Sequence, residues 1–589
     1  MKRLACLTVL LLMLALILTG CNPAAQPPVD DLSTTDAIVT TEPSDDGLTL
    51  VKDGVAHYRI VRGDEATQDV IDAALRVRNL IGDATDVTLE IATDWVKKGV
   101  ERDHESLEIL VGSTAYAESS EAMDGLGYGD YIIARVGNKI VINAWSEERL
   151  SDACNAFRSL VRSNSKDNAL VLPADLKIIG TGDKMLGQLP VYENGTLSSI
   201  SNPSTDIQLL VFTETTPDAY SAYLQKIASS GYTLYAENEI TDNRFATYIN
   251  DTYSINAGYY AYETSTRVTI EKRDATEALP PRAEDNSYES KVQPSVAQFG
   301  LAYPGSDGVT IVNNGQGHAF QLSDGSFLVV DGGCKREIDA KQIYEFMHAN
   351  APDPNNITIA AWIFTHGHGD HTGAYEMFTK HYASKVKLEL LVGNFPSDET
   401  QLEADDSTEA PSGNRIPPSV ASYSGAKFVP AHVGQEYFLR DAKVEILYTL
   451  ESFSPRLLSY YNTSSLIFTI ELAGQTFLML GDASQDGCQI AYKMYGEYLK
   501  ADFLQPAHHG FGVGSLTYTG VTSVYNAAAA PVILWPCSDY SYSRMNTRAF
   551  SQHLIDLDST KEIFVAGARV VRLMLPYTVG SSDQDSIVK

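Results

Sequence analysis

The sequence predicts a multidomain α/β protein, on three observations. At 589 residues the chain is too long for one core, and at roughly 150 residues per domain it should hold about three or four. Its content of 44% hydrophobic and 20% charged residues is that of a globular protein, so most of it should fold. From residue 48 onward, short apolar runs alternate with apolar residues at helical spacing, the pattern of strands and helices sharing a core.

The first residues stand apart from that core. Lys2 and Arg3 precede an apolar run, Leu4 to Leu18, too short for a membrane span, so residues 1–20 read as an export signal. Leu18-Thr19-Gly20-Cys21 resembles a bacterial lipobox. The resemblance implies cleavage before Cys21, a lipid on its thiol, and an anchor on the outer face of the cell membrane. Residues 21–47, rich in Pro, Asp and Thr, read as a flexible tether. Beyond them Cys154, Cys334, Cys488 and Cys537 are scattered with no Cys-x-x-Cys pair, which is neither a disulfide framework nor a zinc ribbon; they read as buried free thiols.

Residues 48–185 alternate strand and helix. Strands are expected at Tyr58–Val61, Val87–Ile91, Leu107–Val111, Tyr131–Ala134 and Lys139–Asn143. Val70, Ile71, Ala74, Val77, Leu80 and Ile81 fall on one helical face, and a second helix is expected over Ser146–Val161. Leu107–Gly112, Asp130–Ala134 and Lys139–Ile142 together resemble the small α/β domain that precedes the catalytic domain of some bacterial glycosidases, the α-glucuronidase N-terminal type. That likeness implies an accessory module, without a catalytic constellation of its own. Residues 186–290 follow a Gly/Pro/Asn-rich break, Gly187 to Pro203. They predict a compact α+β domain, with a helix over Pro217–Ser229 and strands at Ile207–Phe212, Tyr232–Glu237, Phe245–Ile249, Tyr259–Tyr262 and Arg267–Ile270. Its many tyrosines are read as strand filler before sugar platforms. A charged linker, Lys272 to Ala297, leads to the last domain, residues 298–589.

The formal net charge of −31 disfavours a broad basic face for polyanions, which would need clustered Lys and Arg. A polyanionic substrate is compatible with it only where metal ions supply positive charge locally. Ten of the twelve histidines lie after residue 300, and histidine is a frequent metal ligand. The core of this skew is Thr365-His366-Gly367-His368-Gly369-Asp370-His371, after the apolar run Ile357–Phe364 and before a helical stretch from Ala374. A buried strand ending in a glycine-rich turn brings alternate side chains into one small volume. His366 and His368 can share one zinc ion while Asp370 and His371 face a second, since zinc takes nitrogen and oxygen donors.

This motif resembles the signature of the metallo-β-lactamase superfamily, and the rest of the domain can be compared with that family. The resemblance implies an αββα sandwich, preceded here by the two smaller domains. Phe327–Gly333 is similar to the early strand ending in Asp-Gly, which gives Asp331 the role of orienting the metal loop. Phe477–Asp482 is similar to the strand that delivers the carboxylate bridging both metals, Asp482. Leu504–Gly510 resembles the terminal strand-to-histidine element, which offers His508 or His509 to the second metal.

Within the superfamily, Asn313–Ala319, Asn462–Leu466 and Ala507–Gly510 resemble the domain of bacterial DNA-uptake competence proteins. Two positions depart from it. His318 stands where that subgroup carries Asp, and no third histidine for the first metal follows Leu388; Asn394 falls nearest that place, and His432 lies too far along. Arg544, after the strand Pro531–Trp535, is a candidate substrate contact beside Asn394 and His318, though a helix-capping loop explains it as well. His348, His381 and His553 read as surface or packing residues.

The expected function is a metal-dependent hydrolase outside the membrane, using zinc, two ions in the first reading, with manganese or iron as alternatives. A metal-activated water would attack a phosphoester or phosphodiester, with Asp370 or His508/His509 passing a proton to the leaving group. A β-lactam or lactone hydrolase is the second reading. A non-catalytic envelope- or glycan-binding lipoprotein is the third. The substrate would be a cell-envelope polymer or nucleic acid, and no stable protein partner is expected.

Overall fold

The computed structural model describes residues 47–204, 206–304, 311–396, 413–456, 458, 461–511, 519–544 and 548–588. The export signal, Cys21 and nearly all of the tether lie outside the described residues. The chain divides into two compact units, one running to Asp124 and including Asp130–Gly182, the other comprising Gly125–Gly129 and Asp183–Lys589. Among the described residues no helix is long and apolar enough to cross a membrane.

The first unit holds a six-stranded mixed sheet whose spatial order is Lys177–Thr181, Asp130–Val136, Lys139–Ala144, Glu108–Val111, Arg59–Arg62, Ile91–Thr93. Helices Gln68–Thr85 and Leu150–Asn164 bury Val70, Ala74, Val77 and Ile81, and Ala153, Phe157 and Val161, in one core with the sheet. The strand expected at Val87–Ile91 begins only at Ile91, since Asp86 ends the preceding helix in a left-handed turn (φ 58°). A second small sheet, built on Leu48–Lys52 and Ala169–Leu172, lacked a strong alternation and was not expected.

In the second unit, Thr196–Ser204, Ile207–Thr213, Ser265–Lys272, Tyr253–Tyr260, Asn243–Ile249 and Thr233–Ile240 form an antiparallel sheet in that order, with helix Pro217–Ser229 beside it. The strand Thr196–Ser204 lies largely within the Gly/Pro/Asn-rich stretch Gly187 to Pro203, whose composition predicts a break. It pairs as an edge strand with register shifts, where proline is tolerated.

Along Phe327–Val330 every side chain is buried, but successive ones enter different cores. Leu328 and Val330 pack with Phe468, Phe477, Phe503 and Phe564 of a second sheet, whereas Phe327 and Val329 pack with Ala340, Ile343, Ala374 and Phe378 of two helices. The first sheet has seven strands, ordered Lys427–Pro430, Val386–Gly393, Ile357–Ile363, Phe327–Val330, His318–Gln321, Ser295–Phe299, Val570–Met574. The second has eight and includes Ala442–Tyr448, Ile467–Leu472, Gln475–Met479, Phe503–Gln505 and Val532–Trp535. Helices Gln485–Tyr495, Thr519–Ala528 and Ala549–Asp556 cover its outer face. The domain is therefore an αββα sandwich, with a dry core between two sheets buried on both faces.

Candidate metal centre

Four of the buried strands end at the same rim. Ile357–Ile363 runs into Thr365–His371; Phe327–Val330 ends at Asp331; Gln475–Met479 ends at Asp482; Phe503–Gln505 ends at His508 and His509. These strands are parallel neighbours within their sheets, so their carboxyl ends deliver the following side chains to one edge. The helix after the histidine loop begins at Gly369, five residues before the expected Ala374, so Asp370 sits in its first turn, where the helix dipole favours a carboxylate.

Asp482 organises the cluster. Its Oδ2 lies 3.9 Å from His366 Nε2 and 3.6 Å from His508 Nε2, while its Oδ1 lies 3.2 Å from His371 Nε2 and 3.5 Å from His509 Nε2. On the first side His366 Nε2 stands 3.0 Å from His368 Nδ1. On the second, His509 Nε2 is 3.2 Å from His371 Nε2 and 3.4 Å from Asp370 Oδ2. His366, His368 and Asp482 form one group of converging donors, and Asp370, His371 and His509 another.

The histidines are held from behind. His371 Nδ1 donates to Asp331 Oδ2 at 2.8 Å, and His509 Nδ1 to the Pro536 carbonyl at 2.8 Å, so each turns Nε2 inward. Asp331 is fully buried at a left-handed φ of 55°, and also accepts from Thr365 N (2.8 Å), Thr365 Oγ1 (2.9 Å) and Gln316 Nε2 (3.0 Å). His508 and His509 are both left-handed, at φ 50° and 52°, which sends two consecutive imidazoles to opposite oxygens of Asp482.

The residues fit metal ions. Two donors on one tetrahedral zinc stand about 3.3 Å apart, given zinc–ligand distances of about 2.0–2.1 Å. The contacts of 3.0 to 3.2 Å between His366 and His368, His371 and His509, and His371 and Asp482 match that spacing. Asp482 Oδ1 is buried with no hydrogen-bond partner, although two imidazoles face it.

The charges respond to one another as strongly. Burial opposes the ionised form of Asp482, yet His371, His509 and His508 hold its carboxyl well below the usual range. Burial works against a proton on His371, yet Asp482, Asp331 and Asp370 push its pKa well up; against the same burial, Asp482 and Asp370 raise that of His509. His366 is held well below the ordinary value by burial and the neighbouring His371 and His368, which leaves it neutral, as a ligand must be.

The remaining candidates stand apart from these two groups. His318 is fully buried one pair before Asp331 (its partner across the sheet is Val330), 3.3 Å from Gln298 Oε1 through Nε2. Burial, and then the charges of His509 and His371, push its pKa to about 3, so it is a neutral core imidazole beside the cluster. Asn394 donates its side-chain amide to the Ala431 carbonyl at 2.9 Å. Arg544 is exposed, its guanidinium 4.2 Å over the Tyr540 ring. His381 lies 3.3 Å from Glu337, His553 is 2.8 Å from Asn526, and the His348 ring packs by Tyr344.

Sequence reasoning missed three things. The imidazole that joins His366 at Asp482 Oδ2 comes from His508, across the sandwich, and not from the segment after Leu388. Pro536 anchors His509 through a backbone carbonyl, which no side-chain pattern could reveal. His432, set aside as too distant, sits fully buried between Glu271 and Glu451.

Residues 313–511 match the family profile of the metallo-beta-lactamase superfamily. Over 155 residues the chain is 28% identical to ComE operon protein 3 of Bacillus subtilis, a match covering 26% of this chain and 17% of that protein's length. Similar solved structures include the metallo-beta-lactamase fold protein YhfI from Bacillus subtilis, 14% identical, covering 47% of this chain and 99% of that one with a TM-score of 0.31. Zinc-bound PqqB from Methylobacterium extorquens is 12% identical, with coverage of 48% and 100% and a TM-score of 0.30.

Proposed function

We propose that this chain, which carries a domain of the metallo-β-lactamase superfamily, is a lipid-anchored hydrolase outside the cell membrane that cleaves phosphoesters or phosphodiesters. The observation that carries the reading is Asp482, whose two oxygens each face a different set of imidazoles, the disposition of a carboxylate shared between two cations. His366, His368 and His508 with Asp482 would hold one ion; His371, His509, Asp370 and Asp482 would hold the other. Zinc suits these donors, and manganese or iron share them. Bound there, such ions would supply Lewis acidity and lower the pKa of a contacting water toward neutrality.

The chain's own residues divide the remaining work. Asp331 and the Pro536 carbonyl fix two imidazoles with Nε2 inward, so the site is preorganised before substrate arrives. The side chains of Asp370 and His508 are 31% and 29% exposed, while that of His509 is 1% exposed. Asp370, a ligand through one oxygen, is therefore the group able to exchange a proton through its other oxygen with a leaving group entering from solvent, and His508 and His509 serve as ligands. The likeness of Asn313–Ala319, Asn462–Leu466 and Ala507–Gly510 to competence-type domains supports a phosphoester over a lactam. With a net charge of −31 the chain itself repels an anionic substrate, so attraction must come from the metals.

The test is parallel turnover of bis-(p-nitrophenyl) phosphate, nitrocefin and a lactone by the zinc-loaded protein. Phosphodiester turnover lost at least 100-fold in Asp370→Ala is expected. Turnover of nitrocefin alone would replace this reading with a β-lactamase, and metal-free, inactive protein retained on cell-wall polysaccharide would replace it with a binder. In cells, Cys21→Ala is expected to move the protein out of the membrane fraction; unchanged fractionation refutes the lipid anchor.

A further inference from the structure

A second convergence of metal-binding side chains lies within the larger unit, away from the histidine loop. Glu271 is the penultimate residue of the strand Ser265–Lys272 of the antiparallel sheet; His432 follows the strand Lys427–Pro430 of the sandwich; Glu451 lies in the short turn after Ala442–Tyr448. Three separate segments thus bring two carboxylates and an imidazole together, all buried, each offering a donor atom within 4.8 Å of the others. His432 Nδ1 donates to Glu451, 2.9 Å from Oε1 and 3.1 Å from Oε2. Its Nε2 lies 3.2 Å from Glu271 Oε2, within ion-pair range but not aligned as a hydrogen bond.

Two physical points weigh against a merely structural triad. Burying carboxylates is costly unless they are paired, and among the described residues neither Glu271 nor Glu451 forms an ion pair with a lysine or arginine. One imidazole cannot neutralise both. The histidine also has the geometry of a metal ligand, one ring nitrogen tied to a carboxylate and the other turned toward a donor at the separation expected across a single zinc ion. A polar cavity opens beside it, lined also by Glu277, Asn256 and Gln435. Glu277 is half-buried there, its carboxyl pushed up to about 7 by burial and by the charge of Glu271.

We propose that Glu271, His432 and Glu451 form a third cation site, for a divalent transition ion such as zinc, that ties the antiparallel sheet to the αββα sandwich. Glu271 and His432 Nε2 are the direct donors. Glu451 orients the imidazole, and water from the cavity completes the shell. The mixture of oxygen and nitrogen donors suits zinc or manganese and is poor for calcium, which takes oxygen only.

The experiment is zinc anomalous diffraction from crystals of the wild-type protein, with metal counting on Glu271→Gln and His432→Gln. The expected result is an anomalous peak between His432 and Glu271, and the loss of one zinc equivalent per chain in either variant. Phosphodiester turnover and the peaks at Asp482 should be retained, because neither residue belongs to that centre. A map with zinc at Asp482 and none at His432 overturns the proposal, as do folded variants that retain the full wild-type zinc content. Should the variants not fold, the wild-type map decides alone. Absence of turnover with a peak at His432 would leave this site standing while removing the hydrolase reading.

Discussion

Asp331→Asn tests whether the metal loop is positioned from behind. The carboxylate receives four hydrogen bonds in a fully buried setting, three of them at Oδ2 from His371 Nδ1, Thr365 Oγ1 and Gln316 Nε2, and one at Oδ1 from Thr365 N. Asparagine tolerates the φ of 55°, so the backbone adds little to the cost. In its best orientation the amide oxygen keeps the three Oδ2 partners, and its NH2 group faces the Thr365 N–H. One buried donor is then left unsatisfied, at about 1–3 kcal/mol, and three charge-assisted bonds become neutral ones, at about 1 kcal/mol each. The total is about 4–6 kcal/mol, a fall in Tm of several degrees or more. His371 also loses its charged anchor, and removal of such a partner lowers metal affinity by about 10- to 100-fold. Competition with a chromophoric chelator reads the affinity, and calorimetry in chelator reads the stability. A folded Asp331→Asn protein with wild-type zinc affinity would refute the reasoning, whatever its Tm.

Two further outcomes are expected from the same physics. Asp339 is buried on the helix Glu337–Asn350, with Oδ2 unpartnered and Arg336 4.0 Å away, and burial pushes its carboxyl up to about 6. A carboxyl raised in the fold gives stability that is present in full below its unfolded value near 4 and is lost as pH rises through 6. Asp339→Asn should therefore raise stability at pH 7 by up to about 3 kcal/mol, at about 1.4 kcal/mol per tenfold in proton affinity, and change nothing at pH 3.5; an equal gain in denaturant midpoint at both pH values would contradict it. Gly481 precedes Asp482 at φ 52°, and a Cβ there would lie 2.6 Å from Thr365 Cβ. Gly481→Ala should cost about 2–4 kcal/mol through left-handed backbone and overpacking, and displace Asp482 from its partners; thermal unfolding and zinc content check both, and wild-type values in the variant would exclude the clash.

The histidine loop was legible because its chemistry is local. Three imidazoles and a carboxylate between His366 and His371, bounded by an apolar strand and a helix, mark a candidate metal site without knowledge of the fold. Apolar runs ending in Asp331, Asp482 and His508-His509 were legible as strands delivering a side chain, since a strand buried on both faces reads as a continuous hydrophobic run. Element boundaries were less so: the helix after the loop starts at Gly369 because the fold, not the propensity of glycine, supplies its first turn.

The candidate ligands and the strands that carry them could be read from short segments, because ligand type and strand pattern are local properties. How those residues are shared came from the folded chain. It placed His508 and His509 on opposite oxygens of Asp482, drew Asn394 away to a backbone carbonyl, and enclosed His318 in the core. It also brought Glu271 and Glu451 to either side of His432. Such pairings join side chains from different strands and turns, from 19 positions apart for His432 and Glu451 upward, and their energies depend on burial and distance, which no local spelling encodes.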